Sequence, residues 1–186
     1  MLIVYTLTDN EINSRDRRAE TLLAEMARGD IDALGELYEL IETDVFAYAL
    51  SKAQSRQDAE DIAQDTFMRI WKCAKQYKPQ GKPLAWIFTI EINLIRKRYC
   101  SDNRSVPFDE TLKSESDDGS FVQNVIDNEF LRQIMLALSE EEREIVSLHI
   151  VSGLKHREIA KLLEKPLSTE LSKYNRAIKK LQVQFR

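Results

Sequence analysis

The stretch from Leu138 to Arg186 constrains the fold most, because helix starts and stops follow one another along it at short intervals. Leu138-Ser139-Glu140-Glu141-Glu142 forms a capping box, in which Ser139 caps a helix and Glu142 reaches back to it. Ile145, Val146, Leu148, His149 and Ile150 follow as an apolar helix, and Gly153 supplies the left-handed stop that such helices favour. Arg157 to Leu163 gives a second short helix, then Pro166-Leu167-Ser168-Thr169 breaks the chain and starts a third. There Leu167, Leu171, Tyr174, Ile178 and Leu181 recur at three and four residues, the spacing of one buried stripe. Lys173, Arg176, Lys179 and Lys180 lie off it. A trihelical unit presenting a cationic helix is a geometry that enters the major groove. The pattern implies contact with duplex DNA.

At 186 residues, with 43% apolar and 31% charged residues, the chain has material for a core and the surface of a soluble protein. Five glycines and four prolines are few, and the helical period runs long, so an all-α fold is expected. No run approaches the roughly 20 consecutive apolar residues of a membrane span. Met1 to Leu7 is apolar but lacks a basic flank and meets Asp9 and Glu11 at once, so it is expected to be an extension, packed or disordered, not a leader. Cys73 and Cys100 stand apart, which suits a reduced cytosolic protein. His149 lies on an apolar helix face and His156 near a helix start, and spacing gives neither a partner. No metal, cofactor or catalytic role is expected, and no Gly-rich phosphate loop or nucleophile–base pair points to an enzyme.

The net charge of −4 hides a strong alternation. Residues 1–74 carry 8 basic and 15 acidic groups, and residues 75–98 carry 6 and 1. Residues 101–129 carry 2 and 8, and residues 155–186 carry 9 and 3. Two cationic patches separated by anionic sequence fit two contacts with one polyanion. The same alternation suggests that the acidic N-terminal half and the linker lie against the basic patches and suppress DNA binding while the chain is free.

The first half has the periodicity of four helices. Arg17 to Arg28 is the first, ended by Gly29, with Asp30 placed to cap the second, whose apolar face runs from Ala33 to Ala49. Asp58 opens the third, and the loop Lys75 to Lys82 precedes a fourth that starts at Pro83 and ends near Tyr99. From Ser101 periodicity gives way to Ser, Asp and Glu. The expected organisation is therefore an extension (1–15), a four-helix domain (16–100), a flexible acidic linker (101–127) and a helix-turn-helix domain (128–186).

Ala59-Glu60-Asp61-Ile62-Ala63-Gln64-Asp65-Thr66-Phe67-Met68-Arg69-Ile70-Trp71, followed by Trp86-Ile87-Phe88-Thr89-Ile90-Glu91-Ile92-Asn93, resembles the second conserved region of bacterial sigma factors. The C-terminal half resembles their fourth region, and a chain with only these two regions is similar to the extracytoplasmic-function (ECF) group of the sigma-70 family. The resemblance implies a non-enzymatic factor that binds core RNA polymerase and directs promoter recognition and melting. It implies docking of the third helix, through Asp61, Gln64, Asp65 and Arg69, on the coiled coil of the largest polymerase subunit, with a second contact at the flap. It implies that the loop and fourth helix hold the single strand of the minus-ten element, through Tyr77, Lys78, Lys82, Asn93, Arg96 and Lys97, with Tyr99 beside them. Exposed bases want aromatic surfaces with cations between them, which these residues supply. Thr169, Ser172, Lys173, Arg176 and Lys179 would meet the minus-thirty-five duplex. An anti-sigma protein is an implied partner, so the protein would be cytoplasmic in a bacterium and held at the membrane only through that partner.

Five positions depart from the family pattern. Glu91 replaces a small apolar residue among DNA-facing cations, where it weakens phosphate attraction unless it contacts a base donor or pairs with a neighbour such as Arg96, and Thr89 replaces a basic residue. Lys155 replaces a small capping residue, so that helix start is expected to fray. Glu170 and Leu171 invert the usual apolar-then-basic order, and the stripe arithmetic favours a rotated helix that buries Leu171. These departures also leave room for an alternative, a sigma-like decoy that sequesters an anti-sigma factor without activating promoters.

Overall fold

The computed structural model describes residues 9–53, 55–100 and 137–184, and every regular element among them is helical. The linker expected at 101–127 lies outside the described residues. Helix α1 spans Asp9–Ala27, so it begins inside the expected extension. Gly29, at φ +97°, ends it, and the Asp30 carboxylate accepts a hydrogen bond from the Asp32 amide at 3.0 Å where α2 (Asp32–Lys52) begins. The hydroxyl of Ser55 accepts from the Asp58 amide at 3.1 Å and starts α3 (Arg56–Cys73), slightly earlier than the sequence suggests. A 3-10 turn, Ala74–Gln76, leads into the loop, and α4 runs Pro83–Cys100.

In the second half the capping box forms as expected. The Ser139 amide donates to Glu142 Oε2 at 2.9 Å, and the Glu142 amide donates to Ser139 Oγ at 3.4 Å. Helix α5 (Glu140–Val146) then widens into a π turn, Ser147–Val151, before Gly153 at φ +68°. Helix α6 (His156–Leu162) does not fray, because Glu158 Oε2 accepts from the Lys155 amide at 3.0 Å. Helix α7 spans Leu167–Gln184.

The two halves pack against each other. Ile145, Leu148, Leu154, Ile159 and Leu163 join one apolar core with Leu22, Leu37, Ile62, Ile87 and Phe88 of the first half. The Tyr48 hydroxyl donates to Glu144 Oε1 at 2.9 Å, and Lys52 meets Glu140 and Glu144 at 3.2 and 3.3 Å. A smaller cluster of Leu138, Val146, Ala177 and Leu181 holds α5 against α7. Amphipathic faces with spare apolar area are buried against each other whether or not a linker intervenes.

Candidate nucleic-acid interface

Glu20 on α1 organises the loop after α3. Its Oε1 accepts from the Tyr77 hydroxyl at 2.9 Å and from the Gly81 amide at 3.0 Å, where φ of +67° suits glycine. Burial, with Glu20 behind it, pushes the Tyr77 phenol up to about 12, so it remains a neutral donor. The Tyr77 ring lies 5.2 Å from that of Trp86, tilted by 60°. The two rings line a cleft of about 730 Å³ together with Lys78, Lys82, Asn93 and Arg96. Of the six side chains expected to hold a single strand, only Lys97 is absent from that lining. Glu20 was not legible as part of this site, since a carboxylate on an exposed helix face carries no local mark of the loop it will hold.

The opposite wall comes from the helix-turn-helix half: Arg157, Glu158, Lys161 and Glu164. Lys82 Nζ lies 2.7 Å from Glu158 Oε1, and Arg96 Nη1 lies 3.4 Å from Glu164 Oε1. Cations suited to phosphate are thus already engaged by carboxylates. The covering charge comes from α6 and the turn after it.

Tyr99 turns elsewhere, its hydroxyl donating to Asp58 of α3. Glu91 departs from expectation too. It is wholly buried, and neither carboxylate oxygen finds a hydrogen-bond partner among the described residues. Burial, then the nearby Asp44 carboxylate, drives its pKa well above the ordinary value, so it is a neutral acid in the core and contacts neither a base nor Arg96. Thr89 is exposed and returns its hydroxyl to the Ala85 carbonyl at 2.7 Å.

On α3, Asp61, Gln64, Asp65 and Arg69 are all exposed, with Met68 beside them. Asp61 lies 3.4 Å from Arg98. Gln64 also edges a groove lined by Tyr38, Phe46 and Phe67 together with Glu42, Arg56 and Glu60, so this face offers both charge and hydrophobic contact.

On α7, Ser172, Arg176 and Lys179 are exposed and Thr169 is half-buried. Lys173 is drawn to α5, where it and Lys165 pair with Glu141 and hold that carboxyl at about 2. Lys180 pairs with Glu142 at 2.6 Å. The expected rotation does not occur: Glu170 is wholly buried and Leu171 only half-buried. The reason is His156, which spacing had left without a partner and whose Nδ1 lies 2.9 Å from Glu170 Oε1. His149 is partnered as well, its Nδ1 lying 2.8 Å from the Leu154 carbonyl. No three His, Cys, Asp or Glu side chains among the described residues are grouped to hold a metal.

Residues 37–105 match Sigma-70 region 2, and residues 130–181 match Sigma-70 region 4. The chain belongs to the sigma-70 family. Its relatives place it in the ECF group. It is 26% identical over 171 residues to the ECF RNA polymerase sigma factor SigK of Mycobacterium sp. strain KMS, covering 88% of each chain. Among solved structures it resembles the sigma factor RpoE in complex with the anti-sigma factor NepR from Bartonella quintana, at 25% identity and TM-score 0.61, covering 82% of this chain and 96% of that one. The fold of CnrH, solved with the cytosolic domain of CnrY, is similar at 22% identity and TM-score 0.64, over 90% of this chain and 97% of that one. As a sigma factor of this group the chain belongs to promoter-specific transcription initiation. No helix among its described residues is long and apolar enough to cross a membrane.

Proposed function

We propose that this sigma factor binds core RNA polymerase through the outward face of α3, holds the opened minus-ten strand on the loop and α4, and reads the minus-thirty-five duplex with α7. The observation that carries the reading is the cleft. Two stretches of chain, the loop and α4, bring Tyr77, Lys78, Lys82, Asn93 and Arg96 to one surface floored by Tyr77 and Trp86. Stacking rings among cations suit unpaired bases on a phosphate backbone. Contacts at two promoter elements and on polymerase reinforce one another by raising effective concentration. The solved relative bound to an anti-sigma factor supports a partner of that kind here.

Run-off transcription by core polymerase on the promoter of the chain's own gene, with and without the protein, tests the reading. Specific initiation supports it. Silence across a promoter library despite stoichiometric core binding removes the melting role, and silence with no core binding favours the decoy.

A further inference from the structure

We propose that Glu170 and His156 are a positioning pair that fixes the rotation of the recognition helix α7, and so decides which of its side chains face duplex DNA. This rests on the sigma-factor reading of α7.

Two rotations of this helix compete. Leu167, Leu171, Tyr174, Ile178 and Leu181 form a continuous apolar stripe, which would turn Leu171 inward and release Glu170 to solvent. Hydrophobic burial and carboxylate hydration both favour that rotation. The structure adopts the other one, with Glu170 and Ala177 wholly buried and Leu171 half-buried. Something must offset the cost of burying Glu170.

The compensation is a compact ring cluster. The His156 imidazole meets Glu170 Oε1 at 2.9 Å, while Oε2 has no partner among the described residues. His149 stacks on His156, with centroids 4.2 Å apart and planes at 21°. A carbonyl only accepts, so the Leu154 oxygen fixes a proton on His149 Nδ1. Burial, assisted by His156, lowers the His149 pKa and favours the neutral ring. Tyr174, one turn beyond Glu170, stands edge-on to both rings at 4.9 and 4.7 Å. Within the described cluster, His156 is the hydrogen-bonding partner that holds Glu170 inward, and it comes from the helix preceding α7.

The two partners therefore have unequal roles. Removing His156 leaves Glu170 buried without a donor, and the helix relaxes toward the stripe rotation. Replacing Glu170 by leucine removes the reason to rotate, because an apolar residue at 170 stays inside with or without the imidazole. The loss on His156→Ala should be restored by adding Glu170→Leu.

The test uses full-length protein in holoenzyme and compares promoters with matched and mismatched minus-thirty-five elements. His156→Ala is expected to reduce discrimination roughly tenfold, the scale of one misplaced base contact. His156→Gln, which keeps a donor, and His156→Ala/Glu170→Leu are both expected to retain it. A double variant no more selective than His156→Ala overturns the proposal, as does His156→Ala with unchanged discrimination. If His156→Ala does not fold, the other two variants decide, and loss of discrimination in the double variant overturns the proposal.

A second readout needs no promoter. Leu171→Cys, with Cys73 and Cys100 changed to serine, should react with a thiol reagent more slowly once His156→Ala is added, and recover when Glu170→Leu is added. Unchanged labelling overturns the pair's positioning role. Expected labelling without any promoter recognition by the unaltered chain would sink the sigma reading and leave the pair standing.

Discussion

Glu91 is a carboxyl group placed where an apolar side chain would fill the same space. It sits on α4, facing Asp44 and Tyr48 of α2, with Arg96 near Tyr48. Asp44 is itself raised to about 6 by burial, despite its pairing with Arg15. An acid whose folded pKa is raised costs stability once the unfolded chain can ionise. The penalty begins as pH climbs through the ordinary value of 4.5 and grows until the folded state ionises as well. Glu91→Leu is therefore expected to stabilise the protein by about 1–3 kcal/mol at neutral pH, the usual cost of a buried polar group without a partner. Thermal unfolding should show a gain in Tm near pH 7.5 that shrinks toward pH 5. A gain that is constant with pH, or a loss, would mean that the carboxyl is ionised or hydrogen-bonded in the fold.

Helix α3 shows how far an element can be read locally. Its start was expected at Asp58 and lies slightly earlier, at the Ser55 cap, while Ala59, Ile62, Phe67 and Ile70 of its expected apolar side are buried. Caps, stops and stripes are written within a few residues of where they act, so Gly29, Pro83, Ser139 and Gly153 fell at or next to the boundaries expected of them. Glu20, Glu158 and Glu170 were not legible in their roles, because each acts on a residue from another element. The inverted order at 170 and 171 was a visible signal, but it could not name His156. The outward face of α3 supports a prediction at this scale. Asp61→Lys with Asp65→Lys should leave the apolar side, and hence the fold, intact while abolishing co-purification with core polymerase. Retained stoichiometric binding would move docking off this face. Asp61 also meets Arg98, but an exposed pair of this kind contributes only about 0–1 kcal/mol, so unfolding is not the expected cause of lost binding.

Across the whole molecule, the helix-turn-helix half lies over the cleft proposed for single-stranded DNA. Glu158 and Glu164 occupy places that phosphates would take on Lys82 and Arg96. Each contact carries a local penalty: burial and Glu158 help raise Asp16 to about 6, and Glu164 takes a left-handed φ of +55° that glycine would adopt more easily. The expected consequence is that the free chain binds promoter DNA weakly until the halves part, which the proposed function assigns to their placement by polymerase on separate promoter elements. Glu158→Gln keeps an acceptor for the Lys155 amide, and Glu164→Gly relieves the turn, so the double variant removes both charges without loosening α6. The exposed Arg96–Glu164 pair and the half-buried Lys82–Glu158 pair, at about 0–1 kcal/mol each, predict severalfold tighter binding of the free chain to a single-stranded minus-ten oligonucleotide at low salt. The gain should fade as salt screens the pairs, and it should nearly vanish in holoenzyme, where the cleft is already open. Glu25→Gln with Glu39→Gln makes the same change in net charge away from the cleft. Equal tightening by that control would reduce the effect to overall charge and leave the covering carboxylates without a role in masking.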